Sequence, residues 1–572
     1  MNSILAKTIT FIKSKEILIN FIFILGYPLI LITYGMDFTD GPWNMRMAQS
    51  PETLMPYWLT AAISQLWANF FGDSILSFRL LGYISKEFII LIFYLVFFYN
   101  KNLLQFSRYA FVSIVVLNLP NSSNFQYDLA TLLCVSILFV GLLKFTITEN
   151  FFYIILCGFI STMAMLARFP NIVIIPATFV LLAIYSFIRH SNSIPYSKKR
   201  WLILSKLWLF YGSSCLLTMA LFSIFVSPYT YFNSVFENLY ALANTERYHS
   251  LQSLINSYIR DIYAISKYVI LFYLMSIAYN YTVNSLKINK WLISILVFIV
   301  SFYFLTISNT GFFIWRRLHI TALVFFLLLV LLSDAFKKRK ILHLFLFLTI
   351  LVLLFIPSVG SNTGMLRCIA FARFSSVFLL YWFMRIKNKS RVQTHFIAII
   401  LLAIFVFDIN YPKNWVWGDT NNLSELKYSV NHPKLKNINT TIYRKELTEK
   451  IIAEINRLSP TQKDMLFFGA AGQMFYYLYD KQSLSKQLFY LETDDKNVIA
   501  QLETKIKNEQ YYPLIIIIFG DPNNPNWPQC LYNLENNDAK KDIEKAKVLI
   551  QMLNENKYSE IISDKAFVIY RN

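Results

Sequence analysis

Residues Ile17–Tyr34 read ILINFIFILGYPLILITY, a run without a single charge, and the next six, Gly35-Met36-Asp37-Phe38-Thr39-Asp40, bring two carboxylates. An uncharged run of this length crosses a bilayer core of about 30 Å as one helix. Lys7, Lys13 and Lys15 precede it, as in a signal peptide. The run is long, however, and no small-x-small cleavage site follows, so it reads as an uncleaved first span at 16–34. Apolar runs of comparable character recur at 80–99, 107–119, 128–146, 151–167, 170–188, 207–227, 266–283, 291–306, 318–334, 342–357, 368–385 and 396–411. The expected architecture is an all-α polytopic membrane domain of about thirteen transmembrane helices over 1–411, followed by a soluble α/β domain over 412–572.

Composition agrees. Of the 572 residues, 56% are hydrophobic and 17% aromatic, more apolar surface than a soluble domain can bury. The formal net charge of +20 would suit nucleic acid, but its distribution excludes that partner. From Pro412 onward about 21 Lys+Arg face 20 Asp+Glu, so nearly all the excess lies in short loops between apolar runs. With the N-terminus cytoplasmic, every second loop should be basic. Those loops hold Lys101 and Arg108; Lys144; Arg189, Lys198, Lys199 and Arg200; Lys287 and Lys290; Lys337, Lys338, Arg339 and Lys340; and Arg385, Lys387, Lys389 and Arg391. The opposite loops are poorer in basic residues and include the long segments 35–79, 228–265 and 412–572, which places these outside the cytoplasm.

Segment 35–79 carries Pro56-Tyr57-Trp58 and then Ile63, Leu66, Trp67 and Phe70 at helical spacing, which suits a helix lying in the membrane interface. Segment 228–265 alternates aromatic and polar residues and is expected to do the same. In the tail, Met465–Phe468, 514–519 and 566–570 read as strands and 539–554 as a helix. Five cysteines (Cys134, Cys157, Cys215, Cys368 and Cys530) form no CxxC pair, and no histidine has a ligand-spaced partner. A disulfide framework or histidine metal site is therefore not expected, no cofactor is implied, and a divalent metal stays open. Walker, GxGxxG, GxSxG and HExxH motifs are absent from the sequence, so any activated substrate has to come from lipid or from extracytoplasmic water.

Charge near the lipid is costly, which makes its placement informative. Asp37 and Asp40 lie just beyond the first span, and Asp128 opens the span at 128–146 on the same face. Such carboxylates can flank an acceptor hydroxyl or amine and act as general base; Asp128 equally suits a first-turn acid favoured by the helix dipole. Basic groups on the extracytoplasmic side run against the topology bias: Arg79, Arg168, the pair Arg316-Arg317, and Arg367 after Gly360-Ser361-Asn362-Thr363-Gly364. Guanidinium forks suit phosphate oxygens, and they also suit lipid headgroups as plain anchors. His249, in Arg247-Tyr248-His249-Ser250, faces the same side and reads as a polar surface residue or an acceptor-side group.

The order of these elements resembles C-superfamily glycosyltransferases, the group of the protein O-mannosyltransferases and the bacterial lipid A aminoarabinose transferase. Asp40 matches their acid after the first span. Pro56-Tyr57-Trp58-Leu59 matches their Pro-aromatic-Trp helix start, and Phe71-Gly72 with Arg79-Leu80 their glycine turn and later arginine. Asp128 stands where the family has a second acid, and Ala164-Met165-Leu166-Ala167-Arg168-Phe169-Pro170 is similar to its turn with a basic residue. Two departures stand out: Gly41 replaces the usual Glu after the acid, and Leu54-Met55 replaces the lysine before the proline. The resemblance implies transfer, with inversion, of a sugar from a polyprenyl-phosphate carrier to a glycan, lipid or protein acceptor outside a bacterial inner membrane. It further implies Asp40 as base, with Asp128 and Asp37 beside it, Arg79, Arg168, Arg316 and Arg317 at the donor phosphate, and Tyr57, Trp58 and His249 on the acceptor side.

The rivals are a transporter or flippase of lipid-linked sugars and a polysaccharide polymerase or ligase. Transporters show internal repeats and Gly/Pro-broken helices at mid-membrane; here the acids gather at one surface, and only 15 glycines occur in the chain. A polymerase or ligase would share the lipid-linked substrate, but the expected basic/histidine loop pair is missing. For a transferase, Asp40→Asn is expected to abolish passage of radiolabel from a polyprenyl-phosphate sugar to any acceptor in purified membranes. Retained transfer would remove Asp40 from the chemistry.

Overall fold

The computed structural model describes residues 2–38, 40–49, 55–93, 95–96, 103–118, 124–189, 198–243, 251–307, 318–338, 341–361, 364–385, 391–410, 423–458, 464–469, 472–481, 495–518, 547–564 and 566–572. The apolar first part of the chain folds into α1 (Asn2–Leu31), α2 (Asp40–Gln49), α3 (Trp58–Phe71), α4 (Ile75–Phe93), α5 (Leu103–Asn118), α6 (Tyr127–Thr148), α7 (Phe152–Ala167) and α8 (Ile174–Arg189). It continues with α9 (Lys198–Phe222), α10 (Pro228–Ala243), α11 (Leu251–Asn284), α12 (Lys290–Ile307), α13 (Leu318–Lys338), α14 (Ile341–Phe355), α15 (Ile369–Arg385) and α16 (Arg391–Asn410).

Each expected span overlaps a helix among the described residues. Among the described residues, eight helices are long and apolar enough to cross a membrane: Ser14–Leu31, Tyr127–Thr148, Phe169–Arg189, Trp201–Phe222, Leu254–Asn284, Leu318–Phe336, Ile341–Ser358 and Gly364–Phe383. The remaining expected spans lie on shorter or more charged helices; α4, for one, carries Arg79, Lys86 and Glu87. Large apolar side chains stand outward on α9, α11 and α12, with Leu216 73% exposed and Trp291 62%. Exposed apolar flanks of this extent suit lipid, and the chain is a multi-pass membrane protein. At the centre, α6 packs against α4, α7, α14 and α15, and its window is 78% buried. A helix apolar all round belongs in that position.

Some boundaries differ from expectation. The helix expected to start at 207 starts at Lys198 and ends at Phe222 rather than at 227. The helix expected to start at 266 starts at Leu251 and runs unbroken for 34 residues. At 1.5 Å per residue it is about 51 Å long, roughly 20 Å more than a bilayer core. The polar and aromatic residues over 251–265 thus belong to this long helix, and α10 precedes it as a separate one.

The tail folds as β1 (Tyr428–Ser429), β2 (Asn439–Thr440), α17 (Ile442–Leu458), β3 (Met465–Phe468), α18 (Gly472–Leu478), α19 (Asp495–Glu509), β4 (Leu514–Ile518), β5 (Ser559–Ser563) and β6 (Phe567–Arg571). Its main sheet has the order β3-β4-β6-β5, with β3 and β4 parallel and the other pairs antiparallel. Alternate residues of β4 serve two cores. Ile515 and Ile517 pack with Leu502, Ile506, Leu549 and Leu553. Leu514, Ile516 and Ile518 pack with Leu447 and Ile451 of α17, and that core also takes in Met36, Phe38, Met45 and Phe78 from the membrane part. Both faces are covered, which explains the unbroken LIIII of β4. The exposed edge strand β5 lacks such a run and was not expected from the sequence.

The chain leaving α1 is fastened from two sides. Arg79 of α4, fully buried, donates from Nη1 to Ile32 O at 2.8 Å and Tyr34 O at 3.0 Å, and from Nη2 to Gly35 O at 2.6 Å. On the other side Gly35 N donates to Asn439 O at 2.7 Å and Asn439 N to Thr33 O at 2.7 Å, a parallel bridge between Tyr34 and β2. Further out, Lys434 Nζ joins Asp73 at 2.9 Å and Asp480 at 2.5 Å, and Arg46 Nη1 donates to Gln473 Oε1 at 2.5 Å. Arg79→Ala strips hydrogen bonds from three carbonyls at once, two of them on buried residues. It is expected to destabilise the protein by about 3 kcal/mol or more, read as a lower melting temperature in detergent.

Candidate active site

The chain enters α6 in extended form over 124–126, with Phe125 N donating to Phe78 O at 3.2 Å. Buried Asn124 accepts from Arg79 Nε at 3.3 Å. Gln126 is extended, so Asp128 falls in the first helical turn, where unpaired backbone N–H groups favour a carboxylate. Its Oδ2 accepts from Arg367 Nη1, and both side chains are partly open, at 29% and 22% exposure. An ion pair at this exposure contributes little to stability. Its interest lies in what surrounds it.

Arg367 sits on a 3-10 turn, Gly364–Cys368, between α14 and α15. Its Nε donates to Ser361 Oγ at 3.0 Å, and its guanidinium lies 5.2 Å from the Tyr127 ring centre. Three side chains from α7 and α11 hold that turn and the residues just before it. Arg168, buried at the end of α7, donates to Pro357 O and Val359 O at 2.9 Å each. Tyr258 of α11 donates its hydroxyl to Ser358 O. One turn on, buried Asp261 accepts from Met365 N at 2.9 Å. Gly364 has φ +60°, and a Cβ there would lie 2.4 Å from Asp261 Oδ2. Only glycine fits between that carboxylate and the backbone.

Beside the ion pair Tyr57, Tyr127 and Trp43 form a cluster. Tyr57 and Tyr127 lie 4.7 Å apart between ring centres, and Trp43 stands edge-on 5.7 Å from each. Burial raises the pKa of the Tyr57 phenol; Arg168 and Arg367 pull it back down and Asp128 raises it. Two guanidiniums and one carboxylate thus act on the Tyr57 phenol, and guanidinium forks suit phosphate oxygens.

The residues expected at the site fall into three groups. Asp128 and Tyr57 come together, with Arg168 behind them. Asp37 is buried, and its Oδ2 accepts from Gly41 N at 2.5 Å, at the start of α2. It lies at the same end of the bundle, because a Cβ on Gly41 would stand 2.8 Å from both Asp37 Oδ2 and Asn124 Nδ2. Arg79 and Arg168, expected at a phosphate, direct their guanidiniums to backbone carbonyls instead. Trp58, expected beside the acceptor, packs edge-on against Phe222 at 4.7 Å in an apolar cluster with Met165 and Phe169. Successive helical residues point about 100° apart, so Tyr57 and Trp58 cannot share one face. Asp40 opens α2, but its side chain lies outside the described residues, as do Arg316, Arg317 and His249.

Arg367 as the partner of Asp128, and Asp261 as the support of the turn, are what the sequence did not disclose. The ion pair spans 239 positions. The signal for the turn was its two glycines, Gly360 at φ +71° and Gly364 at φ +60°. Among the described residues no group of three His, Cys, Asp or Glu side chains is placed to hold a metal ion.

No known protein family and no curated protein matches the sequence. Among solved structures the chain is similar to the apo oligosaccharyltransferase of Archaeoglobus fulgidus, at 12% identity and TM-score 0.43 over 89% of this chain and 69% of that one. The same oligosaccharyltransferase tethered by a disulfide to an acceptor peptide with the NVT sequon gives 11% identity and TM-score 0.41, over 87% and 68%. ArnT from Cupriavidus metallidurans bound to undecaprenyl phosphate gives 10% identity and TM-score 0.40, over 96% and 97%.

Gly364→Ala is expected to lose at least about 1 kcal/mol of stability, since it places a side chain in the left-handed region against a buried carboxylate. A melting curve of the variant in detergent checks this. An unchanged curve would mean that the turn has room to shift.

Proposed function

We propose that this chain is an inverting glycosyltransferase taking its sugar from a polyprenyl-phosphate carrier. The observation that carries the reading is the half-open Asp128–Arg367 pair, flanked by Tyr57 and Tyr127, at one end of a bundle of apolar helices. The lipid side holds the isoprenoid, and Arg367 meets the phosphate at the boundary. As the bond between the anomeric carbon and the phosphate oxygen breaks, charge develops on the leaving phosphate, and a guanidinium already oriented by Asp128 and Ser361 stabilises it without reorganisation. Asp40, at the head of α2, takes the proton from the acceptor hydroxyl as its oxygen forms the new glycosidic bond on the opposite face. Polyprenyl phosphate is the released product. The rings of Trp43, Tyr57 and Tyr127 offer apolar faces with polar rims, a surface that suits a sugar.

In this reading the membrane domain covers 1–411 with about thirteen spans, the N-terminus is cytoplasmic, and the site and the 412–572 domain face the extracytoplasmic side of a bacterial inner membrane. The positive loops at 198–200 and 337–340 support that orientation.

The test is label transfer from undecaprenyl-phosphate-linked sugars by the purified protein in lipid nanodiscs. Arg367→Ala is expected to lower turnover by about a hundredfold or more, with Arg367→Lys recovering part of it, and both should melt close to the wild type. Full turnover in Arg367→Ala would overturn the assigned phosphate contact. Movement of intact donor across the membrane, with no bond broken, would overturn the transferase.

A further inference from the structure

The C-terminal domain makes an unusual contact with the acidic segment that follows α1. Arg444 of α17 is among the largest fully buried side chains of the protein. Its Nη1 donates to Met36 O, and its guanidinium lies 5.0 Å from the centre of the Phe38 ring. Asn439, five residues earlier, pairs with the backbone of Thr33 and Gly35 as a short parallel ladder. Met36 and Phe38 are 0% and 2% exposed and share a core with Leu435, Ile438, Leu447 and Ile451 of the tail.

Asp37 lies between those two anchored residues. Met36 and Phe38 pack in the core shared with the tail, while the Asp37 carboxylate between them accepts from Gly41 N and lies on the side of Asn124. What holds its neighbours thus bears on the place of the acid. Arg79 approaches the same segment from the membrane domain and bonds the carbonyls of residues 32, 34 and 35. Arg444 comes from the tail and bonds the next carbonyl, that of Met36. Burying a guanidinium is costly unless its donors are satisfied, so this contact holds the backbone of Met36 firmly to α17.

We infer that the C-terminal domain is a template for the acidic segment, and that Arg444 is a positioning residue that sets the path of the chain from Met36 through Asp37 into α2, and so the place of Asp40 at its head. This rests on the functional reading for what the acids do, but not for the positioning itself. A tail that served only as an acceptor-binding appendage would need no buried arginine on the membrane domain's backbone.

The experiment compares the full-length protein in lipid nanodiscs with Arg444→Ala, Arg444→Lys and Lys450→Ala. The last removes an exposed partner of Asp564 from the same helix. Amide hydrogen exchange is read at Gly35 and Gly41, at β4 and β6, and at α6. Arg444→Ala is expected to speed exchange at Gly35 and Gly41 at least tenfold while β4, β6 and α6 keep their protection; Arg444→Lys should restore part of it, and Lys450→Ala should change nothing. Unchanged exchange at Gly35 and Gly41 would overturn the inference. So would equal acceleration across β4 and β6, since that reports an unfolded domain rather than a misplaced segment. With undecaprenyl-phosphate-linked sugar as donor, Arg444→Ala should lower kcat and leave KM for the donor unchanged. Absence of turnover in the wild type would count against the transferase and leave the exchange result to decide the positioning.

Discussion

The chain just beyond the first helix carries carbonyls that the helix cannot bond, and here the structure is organised around satisfying them. The carbonyls of residues 32, 34, 35 and 36 accept from two buried arginines that come from opposite directions, one in the membrane bundle and one in the tail. An unpaired buried carbonyl costs about 1–3 kcal/mol, and three of these four belong to buried residues, so the segment would not persist as an ordered loop without those donors. Because both arginines act on one short segment, the bundle and the tail are coupled through it. The α2 helix, the acids at its start and the ring of Trp43 all take their positions from that junction.

The second organising feature is the turn between α14 and α15. Arginine from α7, tyrosine and aspartate from α11 and two glycines of the turn itself converge on about a dozen residues. Their combined effect is to hold one guanidinium, that of Arg367, half in water against a first-turn carboxylate. Arg79 and Arg168, 3% and 4% exposed, bond to backbone carbonyls, whereas the Arg367 side chain is 22% exposed.

Much of the fold was legible because lipid imposes a coarse rule. Long uncharged runs had to be helices, and each expected run overlaps one. The tail strands at Met465–Phe468 and Leu514–Ile518 were legible too, as short apolar runs buried on both faces. The start of α11 lies earlier than the expected span because a helix can change composition along its length without changing conformation. At the site, Asp128 and Tyr57 were found from local cues, a first-turn position and a Pro-aromatic start. Arg79 and Arg168 drew notice as basic residues on the expected extracytoplasmic side, but sequence does not tell a cation facing phosphate from one facing carbonyls. Both satisfy the same donors. The pairing of Asp128 with Arg367 had no local signature, since only packing of α6 against the loop after α14 joins them.

The contact between Met36 and Arg444 also bears on how the protein is made, since its two ends lie 408 positions apart. Contacts of such separation form late, after most of the intervening chain has been ordered. During synthesis the first loop emerges early and waits outside the lipid for a helix translated more than four hundred residues later. Until then its carbonyls have only the arginine of α4 and water. The path of the first loop is therefore completed only after α17 has been made, and a half-made molecule would sit in the membrane with its early spans inserted and that loop still untethered on one side.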